Sequence, residues 1–285
     1  MSQGINPRAV QCSAQVVSNK RVGAYNHMVF AVDSIASYAR PGNFVAIAVG
    51  GESSALVLRR AFAVYRSSDK GSAGGLIELV ISAHGAGSSW LAARQVHDFV
   101  DMVGPLGTSF GIPTEPVRAL LVGGGYGSAP LFGLAEILKS RGCRVDMVLG
   151  ASSASKIYAP LDGKRSVSSM TLTTDDGSAG HHGRVSDVLE EIIGENGSEI
   201  IYSCGPMAML EAIQKVADRH HLMHQASVEE SMACGIGVCM TCVVPLRGED
   251  GIVRMSRTCI DGPVMDGANV VWDSKRKIPE GTFGA

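Results

Sequence analysis

The 285-residue chain has almost no net charge, with 25 Lys and Arg against 27 Asp and Glu. No broad cationic field exists to hold a phosphate backbone, so nucleic acid is not an expected partner. Aromatic residues are sparse at 5%, but apolar residues make up 45% of the chain and charged residues 18%, which excludes a disordered polypeptide. Long apolar runs are also missing. The longest uncharged stretch, Ala119 to Ala135, is broken by five glycines and Pro130 and cannot span a bilayer. The first residues show no charged segment leading into an apolar one, so neither a signal peptide nor a membrane partner is expected. The chain reads as a soluble, cytoplasmic, globular protein.

Two residue types are conspicuous instead. The 35 glycines exceed the average usage of about 7% and come in clusters without a collagen period, which points to specific backbone turns. The seven cysteines, an odd number, are Cys12, Cys143, Cys204, Cys234, Cys239, Cys242 and Cys259. Four of them fall in one C-terminal stretch, a pattern that favours a metal site in a reducing compartment over a disulfide framework.

From Gln11 to about Phe110 the pattern is of short β-type runs: Cys12 to Ser18, Tyr25 to Val32, Phe44 to Val49, Leu56 to Tyr65 and Leu76 to Ala83. Gly, Pro, Asn and Ser clusters separate them, as in an antiparallel sandwich or small barrel. One helix is expected at Ser88 to Val100, where Trp90, Leu91, Val96 and Val100 are spaced for one face. After a boundary near Pro113 to Pro116 the texture changes to alternating strand and helix. Strand Val117 to Val122, helix Ala129 to Ser140 and strand Val145 to Leu149 form a βαβ pattern, followed by helix Arg184 to Ile193, strand Ile200 to Ser203 and helix Met207 to Arg219. Beyond His224 regular patterning fades. Three segments are therefore expected: a β-barrel over 10–113, an α/β nucleotide domain over 117–223 and a small cluster-bearing subdomain over 224–273. The tail after Asp273, with Lys275, Arg276 and Lys277, reads as a solvated charged segment.

The strongest chemical pattern is Cys234, Cys239, Cys242 and Cys259, spaced C-x4-C-x2-C-x16-C. This is the plant-type [2Fe–2S] arrangement. Gly235 and Gly237 leave room for a loop to wrap inorganic sulfide and aim backbone N–H groups at it. Structural zinc more often pairs two C-x2-C knuckles, and this chain has one; zinc and unliganded core cysteines are the alternatives. Cys12 and Cys143 sit in or beside apolar strand patterns, as core fillers do.

Between a buried strand and a helix, GGGYGSAPL places Gly123, Gly124, Gly125 and Gly127 where backbone N–H groups can approach a pyrophosphate. It is not a strict G-x-G-x-x-G, and a tight turn that binds nothing is the plainer alternative. A second turn, SCGPM, again follows a buried strand and opens a helix, with Cys204, Gly205, Pro206 and Met207 at the sheet edge where ligands bind. A buried structural cysteine is the equal alternative for Cys204. The polar stretch from Thr173 to Val185, with Asp175, Asp176, His181 and His182, reads mainly as turns.

These motifs, in this order, resemble the ferredoxin-reductase superfamily and, more narrowly, the electron-transfer subunits of two-component, NAD-linked dihydroorotate dehydrogenases. The resemblance runs from about Gln11 to Asp273. It implies an FAD-binding barrel, a nucleotide domain opened by GGGYGSAPL, a nicotinamide-side turn at SCGPM and a [2Fe–2S] loop at MACGIGVCMTC; TDDGS and Gly104-Pro105-Leu106-Gly107 also match. The family's Arg-Pro-aromatic/aliphatic-Ser motif aligns with Arg60, Ala61, Phe62 and Ala63. Arg60 would pair with the FAD pyrophosphate, while Ala61 replaces Pro and Ala63 replaces a hydroxyl that in relatives lies near the flavin N5. Val80, Ile81 and Ser82, then Gly87 and Ser88, correspond to the next flavin contacts, although Ser88 is also a natural helix cap.

What the resemblance implies is a reductase subunit relaying electrons between a partner's FMN, where dihydroorotate becomes orotate, and a nicotinamide, through the cluster and FAD. Flavin suits that place because it takes or gives a hydride as a pair and exchanges single electrons with a cluster. NAD and NADP are both open: Gly150-Ala151-Ser152-Ser153-Ala154-Ser155-Lys156 has no acid for a ribose 2′-OH, and the family alone favours NAD. The alternatives are a related FAD/[2Fe–2S] subunit of a ferredoxin:NADP oxidoreductase or cytoplasmic hydrogenase, and a zinc-stabilised interaction module without enzyme activity.

Overall fold

Alternating apolar residues close the first part of the chain into a barrel. The structure, a computed structural model, describes residues 9–51, 54–71, 74–272 and 281–283. The basic tail at Lys275 to Lys277 lies outside them. Strands β1 (Val10–Val22), β2 (Tyr25–Ala31), β3 (Phe44–Ile47), β4 (Arg60–Gly71), β5 (Gly74–Ile81) and β6 (Phe99–Leu106) pair antiparallel in the closed order β1-β2-β5-β4-β3-β6. Their inward residues, among them Val16, Met28, Phe30, Val45, Leu79 and Met102, form one core at zero exposure. Two short helices, α1 (Asp33–Ala36) and α2 (Ala86–Ala92), add Ile35, Ala36 and Leu91 to the same core.

The helix expected over Ser88 to Val100 is corrected. It stops at Ala92, His97 turns the chain at φ 77°, and β6 follows as the strand that closes the barrel onto β1 and β3. Val96 and Val100 are four apart, a helical spacing, but Val96 is 46% exposed while Val100 and Met102 alternate into the barrel core. Two residues at helical distance thus belonged to different elements.

The second layer is a seven-stranded sheet in the order β10-β9-β8-β7-β11-β12-β15. It comprises β7 (Arg118–Gly124), β8 (Arg144–Ala151), β9 (Ser169–Thr174), β10 (His181–His182), β11 (Ile200–Cys204), β12 (Met223–Ser227) and the antiparallel edge strand β15 (Val264–Asp266). Helices α3 (Ala129–Ser140), α4 (Pro160–Ser166), α5 (Ser186–Asn196) and α6 (Met207–His220) connect the strands. Apolar β7 is covered on both faces: Leu121 faces α3, and Leu120 and Val122 face α5 and α6.

Patterning does not end at His224, because β12 continues the parallel sheet beside β11. Its polar residues disguised it. His224 is buried with Nε2 2.6 Å from Ser203 Oγ and Nδ1 2.8 Å from Gln214 Oε1, while Gln214 Nε2 donates to Asp218 at 2.7 Å. Since the Gln214 oxygen must accept, His224 carries its proton on Nδ1 and accepts from Ser203. Beyond β12 the chain makes the cysteine loop and a separate hairpin, β13 (Val243–Arg247) and β14 (Val253–Arg257), before returning to the sheet as β15.

Candidate redox site

Sheet order reverses between β7, from which the chain moves to β8, and β11 on its other side. Ligands of open α/β sheets bind at such a point, outside the carboxyl ends of the strands. Both glycine turns lie there, since Cys204 of β11 pairs beside Gly123 of β7. Glycine is required by close approach: a Cβ on Gly127 would lie 3.0 Å from Gly205 Cα, and one on Gly124 would lie 3.0 Å from Pro206 Cδ and 2.7 Å from Met209 Sδ. The two turns touch backbone to backbone and leave a cavity of about 590 Å3 over the strand ends, a size suited to a cofactor. Gly124, Gly125, Gly127, Gly205 and Pro206 line it, with Tyr25, Ser152, Lys156, Asp175 and Arg184 around the rim. Met207 packs instead toward Leu210, Ala226 and Met265, and its neighbours Ala208 and Met209 form the wall.

A smaller cavity of about 180 Å3 adjoins the first and gathers several of the residues expected beside a flavin. Ala61, Phe62, Ala63 and Val80 line it from the barrel, Gly127, Cys204 and Gly205 from the sheet, and Met232 from the segment leading to the cysteine loop. Along β4, Ala61 and Ala63 face outward and Phe62 packs against the barrel core. Ile81, expected as a contact, is a fully buried barrel-core residue. Ser82 is half-buried and outside the cavity lining.

Arg60 lies over buried Gly87, where a Cβ would come within 3.0 Å of Arg60 Nε and of Val49 Cγ2. The guanidinium donates to Leu58 O at 2.6 Å and Arg59 O at 3.4 Å and has no carboxylate partner among the described residues. A cation so placed beside a side-chain-free cradle fits a pyrophosphate. Ser88 is a third-position cap rather than the first helical residue: its Oγ accepts from the Gly85 N–H at 3.1 Å and the His84 N–H at 3.3 Å.

The cysteine loop rests on the barrel's outer face, where Cys242 and Cys259 pack with Phe44, Ala46 and Leu106. Among the described residues no three His, Cys, Asp or Glu side chains converge as one metal ion requires. The four thiols are neighbours: Cys234 interacts with Cys239, and Cys259 with both Cys242 and Cys234. Four thiolates gathered in this order, from one loop and the turn at Cys259, are the ligand set of a plant-type [2Fe–2S] cluster. The Val238 N–H donates to Cys234 Sγ at 3.3 Å, and Arg257 holds Gly237 O at 2.8 Å. Gly237 has φ 84°, and a Cβ there would meet Ile260 at 2.7 Å, so the loop's tight course depends on glycine. The Thr241 hydroxyl, followed by backbone bonds and the Cys234 thiol, pulls the exposed Cys239 thiol down to about 6. Burial, then contact with Cys242, pushes Cys259 up to about 12.

Residues 229–271 match the model of the iron-sulfur cluster binding domain of dihydroorotate dehydrogenase B, and residues 121–215 match that of oxidoreductase NAD-binding domains. The electron transfer subunit of dihydroorotate dehydrogenase B (NAD(+)) from Caldanaerobacter subterraneus subsp. tengcongensis is 33% identical over 252 residues, 88% of this chain and 94% of its own. The corresponding subunit from Bacillus caldolyticus is 36% identical over 235 residues, 81% of this chain and 87% of its own. The chain belongs to the dihydroorotate dehydrogenase B electron transfer subunit family. A solved structure of an NADH-dependent reduced ferredoxin-NADP oxidoreductase is also similar, with a TM-score of 0.79 and 28% identity over 91% of this chain and 90% of that one. A ferredoxin reductase of carbazole 1,9a-dioxygenase shares the fold at a TM-score of 0.62 and 22% identity, covering 75% of this chain and 67% of its own.

Within that family frame, two residues at the junction of the cavities escaped sequence reading. Tyr126 stands inside GGGYGSAPL and Glu229 a few residues before Cys234; their side chains bond at 3.3 Å. Neither position follows a spacing rule. Only the approach of β12 to the glycine turn brings them together.

Proposed function

We propose that this protein is the electron-transfer subunit of an NAD-linked dihydroorotate dehydrogenase, carrying electrons from a catalytic, FMN-containing partner subunit to NAD. Its cofactors are FAD, a [2Fe–2S] cluster and NAD. One observation carries the reading: a single cavity is walled by the flavin strand at Ala61 to Ala63, the nicotinamide-side turn at Cys204 and Gly205, and Met232 at the head of the cluster loop. FAD supplies the exchange between single electrons and a hydride, and the chain positions its neighbours for it. Arg60 over Gly87 would hold the pyrophosphate, with Ala61, Phe62, Ala63 and Val80 beside the ring and Ser88 and Ser82 supporting the adjoining loop. Cys234 and Cys239 would ligate one iron, and Cys242 and Cys259 the other. Gly124, Gly125, Gly127, Gly205 and Pro206 would receive the dinucleotide.

The units proposed are the barrel, 10–113, the nucleotide domain, 117–223, and the cluster segment, 224–273, which lends β12 residues and β15 to the nucleotide sheet. Thiolate-held iron–sulfur chemistry suits a reducing cytoplasm; no helix among the described residues is long and apolar enough to cross a membrane. Co-purification from native lysate, with partner identification and an anaerobic dihydroorotate–NAD assay, tests the reading. A flavin- and iron-free spectrum would end it. The 28% identity to the ferredoxin-NADP oxidoreductase structure favours one second reading, a subunit serving that reaction, and recovery of a ferredoxin-oxidising partner would select it.

A further inference from the structure

Among the described residues that line the larger cavity, Tyr25 alone comes from the barrel, and it lies outside the 121–215 segment matched by the NAD-binding model. Strands β1 and β2 meet in a tight turn that pairs Val22 with Tyr25. Gly23, at φ 58°, brings this turn against the loop that follows β8, where a Cβ on it would lie 3.3 Å from Ser155 O. Val22 and Ala24 pack into the apolar core between barrel and sheet. Tyr25 itself is 4% exposed, and its ring centroid lies 6.2 Å from that of Tyr126 in the glycine turn and 6.1 Å from that of Tyr158. Its hydroxyl donates to Lys156 O at 2.8 Å and stands 3.9 Å from where a Cβ on Gly125 would be. The loop it grips is held from the other side as well, because the Ala154 N–H donates to Ser178 Oγ at 2.8 Å. One support belongs to the nucleotide domain and the other to the barrel.

We propose that Tyr25 is a positioning residue for the adenosine half of the dinucleotide: by holding Lys156 O it sets the loop from Ser152 to Lys156 against the glycine turn. The inference rests on reading the larger cavity as the dinucleotide site. The end of the second strand in such a sheet is where an adenosine ribose is engaged. Here that place is taken by the loop after β8, whose Ser152 and Lys156 line the cavity. With no acid in the loop to clasp the ribose, its contacts depend on where the backbone sits. A loop already in place when the ligand arrives spares the ordering cost of binding. Burial raises the Tyr25 hydroxyl above its ordinary value, so it stays protonated and keeps donating. The nucleotide site is therefore complete only while the barrel turn is docked on it.

The test compares Tyr25→Phe with the wild type in the FAD- and cluster-loaded protein. Phenylalanine keeps the ring beside Tyr126 and Tyr158 and removes only the hydroxyl. Without nucleotide, deuterium exchange over residues 152–157 should quicken about three- to tenfold, the scale of one lost hydrogen bond, while β8 stays unchanged. Calorimetry then uses three probes: NAD+, ADP-ribose, and nicotinamide mononucleotide, which lacks the adenosine. The first two should weaken by about three- to tenfold and the third by less than about twofold. Ser178→Ala, which frees the other side of the loop, should show the same ordering. Unchanged ADP-ribose affinity in Tyr25→Phe, or an equal loss for all three probes, overturns the proposal. A wild-type protein that binds neither NAD+ nor ADP-ribose removes the dinucleotide reading itself, and the inference with it.

Discussion

At the scale of single residues, this site depends on side chains that are missing. Gly127 is decided by contact with another backbone, since the neighbour at 3.0 Å is Gly205 Cα and has no flexible end to swing aside. Gly127→Ala should push the two turns apart and raise the dissociation constant for NADH about tenfold. Gly127 also lines the smaller cavity, so the flavin bands should shift in the same variant; a titration followed by flavin absorbance measures both. Ala63 is a different case, a small exposed residue on the wall of the smaller cavity. The strand does not depend on the side chain at 63, since neighbouring Phe62 packs inward on the barrel core.

At the scale of elements, β6 and β12 were the hard ones to read. Val100 and Val96 give a direct test of β6: Val100→Ala should cost about 2 kcal/mol by emptying a filled barrel interior, whereas exposed Val96→Ala should stay within about 0.5 kcal/mol. Equal effects in chemical denaturation would contradict the strand assignment. β12 is coupled to β11 and α6 through His224, which burial pushes down to about 4 from an ordinary value of 6.5. The unfolded chain therefore binds more protons than the native one between those values. Stability rises with pH across that window, and acidification below about 6.5 should remove of the order of 1 kcal/mol per pH unit until His224 charges in the native state. Denaturation midpoints at several pH values, compared with those of His224→Gln, measure that slope, which the variant should lose.

At the scale of the whole molecule, barrel, sheet and cluster loop meet around one small cavity while each keeps its own supports. Cys239 is exposed, and its loop is braced by Arg257 and by the packing of Cys242 and Cys259 on Phe44 and Leu106. Cys239→Ser should abolish the cluster's absorption and its electron paramagnetic resonance signal on reduction, leaving FAD bound at near wild-type stoichiometry. Loss of all FAD in that variant would count against a flavin site built on the barrel.

Chemistry carried by contiguous residues was legible without coordinates. The C-x4-C-x2-C spacing, the two glycine turns after buried strands and the β-to-α/β change near Pro113 are local patterns, because cluster wrapping and strand–helix turns constrain neighbours in the chain. Where polar residues filled a buried strand, as His224 and Ser227 do in β12, or where a strand imitated a helical spacing, as in the approach to β6, only the fold decided. Ile81 points into the barrel core and half-buried Met207 packs toward Leu210 and Met265, side-chain directions that no local pattern shows. The meeting of Tyr126 with Glu229 was likewise a tertiary decision: residues 103 positions apart become partners only because β12 runs beside β11 and ends at the glycine turn.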